Sequence, residues 1–167
     1  MSEGIQTSYD FTTRAAIEGL QANLSLNDVQ AKIAEDIVPF GRAVVRGSTD
    51  NAVKLPEADD ELFVGISLLR YGAENPLVAP GIDPSSLTEY NQFDAMAVLS
   101  TGYVWVFTEE NVTPGSPVYY RYEASGGNTE LGRFRTTEEE DKTLLLEGAT
   151  FETTTLAGNL ALIRLVK

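Results

Sequence analysis

From Phe40 onward, apolar and polar side chains alternate with a period of two in short runs parted by Gly, Pro, Asn and Asp, the pattern of strands that bury one face. The first run, residues 40–46, sets Phe40, Arg42, Val44 and Arg46 against Gly41, Ala43 and Val45, and a turn over residues 47–51 follows. Residues 62–69 are apolar on both faces, which predicts a central strand. Residues 93–99 lead through 100–102 into 103–108, also apolar on both faces and so either buried or an oligomer contact. After a Pro114-Gly115 turn, residues 118–122 place Val118, Tyr120 and Tyr122 on one face, and residues 131–135, 144–151 and 160–166 supply the last strands. The pattern predicts an all-β body over residues 39–167, a small antiparallel β-barrel or jelly-roll-like sandwich.

Three stretches depart from this rhythm. Residues 70–91 carry Pro76, Pro80, Pro84, Gly72 and Gly81 and read as a long loop; loops above about 15 residues in compact domains are commonly functional or disordered. Residues 138–141 are four consecutive carboxylates, read as a mobile charged loop. Residues 1–38 read as a leading arm with two possible conformations. Val29, Ile33 and Ile37 recur every four residues, with Asn27 or Ser25 as a cap and Pro39 as a stop, which describes a short amphipathic helix. Gly19, the polar cluster at 25–28 and the extended bias that Pro39 imposes on Val38 describe an extended arm instead.

The length of 167 residues favours one domain, and a body of this mass buries roughly 70% of its extended-chain surface without needing metals or disulfides. Twelve Lys and Arg stand against 25 Asp and Glu, a net charge of −13. That sign opposes docking on phosphate backbones and on anionic lipid, so neither nucleic acid nor a membrane is expected as a partner. No apolar run reaches the roughly 20 residues that span a bilayer, and residues 1–23 lack the organisation of a secretory signal, so synthesis in a cytoplasm is expected.

The absence of Cys and His removes zinc sites of the usual kind, the Ser-His-Asp triad and thiol nucleophiles. Carboxylate-pair hydrolysis, lysine chemistry and oxygen-ligand metal binding remain open in principle, but none has a signature here. Residues 138–141 lack the spaced ligands and central Gly of a calcium loop, and Gly126-Gly127-Asn128 lacks the Lys-Ser/Thr of a phosphate loop. No catalytic, cofactor or metal-binding residue is therefore assigned. Tyr103, Trp105 and Phe107 share one strand face, and Tyr119, Tyr120 and Tyr122 crowd the next strand. Such ladders serve cores and subunit contacts, and alternatively the sugar-stacking face of a carbohydrate-binding β-sandwich module. Arg42, Arg46, Arg121, Arg133 and Arg135 lie on or beside strands, where a guanidinium can offset nearby carboxylates or pair with those of a partner.

The order of motifs resembles the structural cement, or head decoration, proteins of tailed bacteriophages. The resemblance rests on Pro39-Phe40-Gly41-Arg42-Ala43-Val44-Val45, Lys54-Leu55-Pro56, Phe63-Val64-Gly65-Ile66, Ala97-Val98-Leu99 and Gly102-Tyr103-Val104-Trp105-Val106. It continues through Pro114-Gly115-Ser116-Pro117-Val118-Tyr119, Leu131-Gly132-Arg133-Phe134, Gly148-Ala149-Thr150-Phe151 and the closing strand, and upstream to Gly19-Leu20-Gln21-Ala22-Asn23. The chain departs from the family pattern in its longer 70–91 and 138–141 segments. The resemblance implies a protein without catalysis that binds the outside of a phage head and bridges major capsid subunits, made in the host cytoplasm and carried on the virion. Its partners would be the major capsid protein and sister copies, as a dimer or trimer. Interface candidates are Ile17, Leu20, Val29 and Ile33 from the arm, with Arg42, Arg46, Trp105, Tyr119 and Arg121 from the body.

Overall fold

The computed structural model describes residues 16–23, 27–70 and 88–166. Eleven strands carry the described chain: β1 (Asp28–Ala34), β2 (Val38–Pro39), β3 (Ala43–Arg46), β4 (Ala52–Lys54), β5 (Phe63–Ser67), β6 (Glu89–Tyr90), β7 (Ala95–Phe107), β8 (Pro117–Arg121), β9 (Phe134–Arg135), β10 (Thr143–Phe151) and β11 (Leu160–Leu165). Among the described residues there is no helix, as the period-two pattern predicted. Nine strands form one sheet in the order β1-β4-β3-β5-β7-β11-β10-β8-β9, and β2 with β6 makes a separate ribbon.

β1 pairs a second time with β7, Val29 opposite Leu99 and Ile33 opposite Ala95, so β1, β4, β3, β5 and β7 close into a small barrel. A walk around a ring must return each strand to its own direction, which an odd ring cannot do if every joint is antiparallel. The parallel joint is β1–β4, with Ile33 opposite Ala52 and Ala34 opposite Val53. The expected all-antiparallel barrel is corrected at that joint. Past β7 the sheet continues through β11, β10, β8 and β9, and a parallel bridge between Thr108 and Phe134 links the last of these back to the end of β7.

β7 belongs to both halves because it is long and contains a bulge. Asp28 pairs with Thr101 but Val29 with Leu99, leaving Ser100 as an extra residue, and a one-residue slip exchanges the two faces of a strand. Before the bulge, Met96 and Val98 enter a core with Ala34, Val38, Phe40, Val44, Val53 and Tyr90. After it, Val104 and Val106 enter a second core built on Val118, Tyr120, Phe134, Phe151 and Ile163. Gly102 takes a φ of 137° just beyond the bulge. β5, the predicted central strand, lies between β3 and β7 and feeds both cores, Ile66 into the second and Val64 against the first.

The helical reading of Val29, Ile33 and Ile37 is overturned over residues 28–34, which are strand β1. A spacing of four is a multiple of two as well as close to 3.6, so it satisfied both periods. The edges that β7 and β4 offer decide for the strand. Upstream, residues 16–23 run along β7: the Gly19 amide donates to the Trp105 carbonyl (2.8 Å) and the Ala22 amide to the Tyr103 carbonyl (3.0 Å). The rest of the predicted arm, residues 1–15 and 24–26, lies outside the described residues. Of the predicted loop 70–91, residues 71–87 lie outside them as well. Its ends are drawn together: Arg70 pairs with Asp94 and sits 5.0 Å over the Tyr90 ring, and the Tyr90 hydroxyl donates to the Leu68 carbonyl (2.9 Å). Phe93, read as the start of a strand, is instead at the turn before β7.

Candidate protein interface

Two of the three arginine candidates are committed inside the chain. Arg121, on β8, is fully buried. Its Nε and Nη2 donate to the two oxygens of Glu109 (2.7 Å each), Nη2 also to Glu139 (2.7 Å), and Nη1 to the Glu123 carbonyl (3.0 Å). Arg135 Nη1 donates to the same Glu139 oxygen at 2.6 Å, and Glu110 accepts the amides of Thr136 (2.7 Å) and Thr137 (2.6 Å). Hydrogen bonds from Ser125 and Arg121 hold the Glu139 carboxyl down at about 2. The acidic run is thus not a uniformly mobile loop: Glu139 ties it to β8 and β9, while Glu138, Glu140 and Asp141 face solvent.

Arg42 is likewise buried, paired with Glu130 and 3.7 Å from Glu18. Burial pushes the Glu18 carboxyl up and the Arg42 guanidinium down, each opposed by the charge of the other. Arg46, at the end of β3, is exposed and is the one of the three whose guanidinium faces outward.

Ile17 and Leu20 are half-buried beside β7. Val29 and Ile33 are exposed on the outer face of β1. Trp105 and Tyr119 are half-buried, and the Tyr103, Trp105 and Phe107 row does not stand free, since Arg133 stacks 5.3 Å over the Phe107 ring. Sequence reasoning missed Phe93, which is 75% exposed at a φ of 68°, a backbone setting unusual for so large a residue. Its signal was the turn chemistry around it: Asp94 accepts the Asn91 amide (3.0 Å). Ile37 is exposed just past the same end of β1, and Val29 and Ile33 are exposed along the strand.

A second apolar surface is a groove of about 560 Å³ between residues 60–63 and the edge of β10. Leu62, Leu145 and Val166 are exposed along it, and Tyr120 lies at its base with the Phe63 ring 5.6 Å away. Among the described residues no group of three or more His, Cys, Asp and Glu is placed to hold a metal ion.

No curated protein matches the chain. A chain in the capsid of Myoviridae phage XM1 shares its fold at a TM-score of 0.71 and 17% identity, with 99% of each chain covered. The N base of head fiber gp8.5 of bacteriophage phi29 is a looser likeness, with a TM-score of 0.42 and 10% identity over 84% of this chain and 95% of that one. Residues 5–166 match the structural cement protein family (E217 gp24/Pam3 gp6), and the chain belongs to that family of phage structural proteins.

Proposed function

We propose that the protein binds the exterior of a phage head as a decoration cement, bridging neighbouring major capsid subunits and assembling as a dimer or trimer, with no catalytic step. One observation carries the bridging role. The body exposes apolar side chains both along β1 with Phe93 and along the β10 groove, and a bridge needs at least two contacts on one rigid body. Its two packed cores and closed strand ring supply that rigidity. Repetition over an icosahedral lattice multiplies modest contacts into avidity.

Within this proposal the leading segment contributes Ile17, Leu20, Val29 and Ile33, and the body contributes Arg46, Trp105 and Tyr119. In this reading Val29 and Ile33 act from β1, which closes the ring, and Ile17 and Leu20 from the segment that runs along β7. The sugar-binding alternative loses support because its aromatic row is half-buried and its Phe107 ring is covered by Arg133. Mixing the purified protein with undecorated heads and imaging the particles tests the proposal. Added density at subunit junctions is the expected result; bare heads at every salt concentration and expansion state would remove it.

A further inference from the structure

The β10 groove has three properties that an ordinary surface depression lacks. The first is an open strand edge. β8 pairs with Leu144 and Leu145 on one side of β10, while on the other side β11 ends with Leu165 opposite Ala149 and the Val166 amide donating to the Gly148 carbonyl (2.9 Å). Among the described residues no strand faces positions 144–147 on that side. Alternate residues of this stretch turn their backbone donors and acceptors to that side, over about 13 Å of strand at roughly 3.3 Å per residue.

The second is an orphaned polar group. Tyr120 is 1% exposed, lines the groove, and its hydroxyl has no hydrogen-bond partner. A buried phenol left unpaired costs free energy that an incoming acceptor recovers. Burial, with Glu61 and Tyr122 nearby, pushes that hydroxyl up to about 12, so it stands as a protonated donor at neutral pH.

The third is charge. Asp60, Glu61 and Glu147 line the groove and no Lys or Arg does. Glu61 is paired with Lys54 (2.7 Å), while Asp60 and Glu147 make no ion pair among the described residues. The apolar lining, with Leu62 at 63% and Leu145 at 45% exposure, shares the groove with these carboxylates. A second copy, at −13, brings the wrong sign.

We infer that this groove accepts an extended segment of a shell subunit, which adds to the open edge of β10 as a strand, places apolar side chains on Leu62 and Leu145, presents a Lys or Arg to Asp60 and Glu147, and offers a carbonyl to Tyr120. Strand addition of this kind takes affinity from main-chain bonds and specificity from alternate side chains. The source of the segment rests on the capsid reading; the chemistry of the groove does not.

The test has two arms, both on the full chain. In the first, a fluorescein-labelled heptapeptide alternating Val and Thr with a Lys at each end is titrated by anisotropy against the wild type, Leu145→Lys and Glu147→Lys, all checked for native circular dichroism. The wild type should bind, each variant about tenfold more weakly, and a peptide with Glu in place of Lys about tenfold more weakly again. No binding at 1 mM peptide, or equal binding by all three proteins, overturns the groove assignment. In the second arm, undecorated heads are incubated with the wild type and the Leu145→Lys/Glu147→Lys double variant. Loss of the double variant from the heads supports the inference, and equal decoration by both overturns the shell as the source of the segment while leaving the capsid reading intact. Failure of the wild type to decorate overturns the capsid reading instead, and the peptide arm still decides the groove.

Discussion

Replacing Arg121 with Met removes the cation at the centre of the Glu109, Glu139 and Glu123 contacts while keeping an unbranched apolar stem in its place. The structure determines where the cost falls. Glu139 keeps Arg135 at 2.6 Å and is partly solvated, so it loses one of two cations. Glu109 loses its bidentate partner, and at 3% side-chain exposure it has no water to replace it; Arg135 is 3.6 Å away. Stranding one buried charge in this way costs about 3–5 kcal/mol, which for a domain of this size lowers Tm by roughly 6–20 °C. Arg121→Met/Glu109→Leu removes both charges and should recover most of the loss, because apolar replacement of a whole buried pair is often close to neutral. Thermal melts followed by far-ultraviolet circular dichroism measure all three proteins. Repeating them across salt should change the deficit little, since buried pairs are weakly screened. A single-variant cost below about 1 kcal/mol, or a double variant no more stable than the single one, would refute the account of Arg121 as an internal clamp.

Stability should fall in acid. Glu139 at about 2, together with Glu61, Asp94, Glu110 and Glu130, is held below its ordinary value, so the stability these groups contribute is complete above about 4.5 and is lost as pH drops toward 2. A Tm that stays flat from pH 6 to pH 2.5 contradicts this, since among the described carboxylates only Glu18 is shifted the other way. Gly148→Ala should cost at least 2 kcal/mol more than Gly115→Ala, on the order of an overpacking penalty. Both glycines have positive φ, but a Cβ on Gly148 runs into the Val166 carbonyl whereas one on Gly115 meets open space, and denaturant midpoints report the difference. Trp105 is half-buried in the free protein, so iodide should quench it partially, and further protection on undecorated heads is expected if the outer face of β7 is a contact; unchanged quenching on decorated heads takes that face out of the interface.

How far the amino-acid order reached depends on the range of the interactions involved. Alternation over two to thirteen residues is local, and it located β3, β5, β7, β8, β10 and β11 and marked β5 as central, since only a strand covered on both sides needs two apolar faces. The absence of Cys and His and the deficit of cations are properties of composition and needed no fold. What could not be read locally is what depends on a distant partner. Val29 and Ile33 fit helix and strand equally until β7 and β4 supplied edges for β1, and β4 and β6 are too short to show a period. Arg42, Arg46 and Arg121 look alike as sequence, but only Arg46 has its guanidinium in water, because Glu18 and Glu130 in one case and Glu109 and Glu139 in the other arrive from remote segments. The groove exists only because β11 stops short of the β10 edge and residues 60–63 lie across from it. Periodicity and composition thus decided strand content, acidity and the chemistry excluded. Ring closure, the parallel joint, the buried guanidiniums and the open edge were decided by tertiary structure, since each is a relation between segments that the chain brings together only on folding.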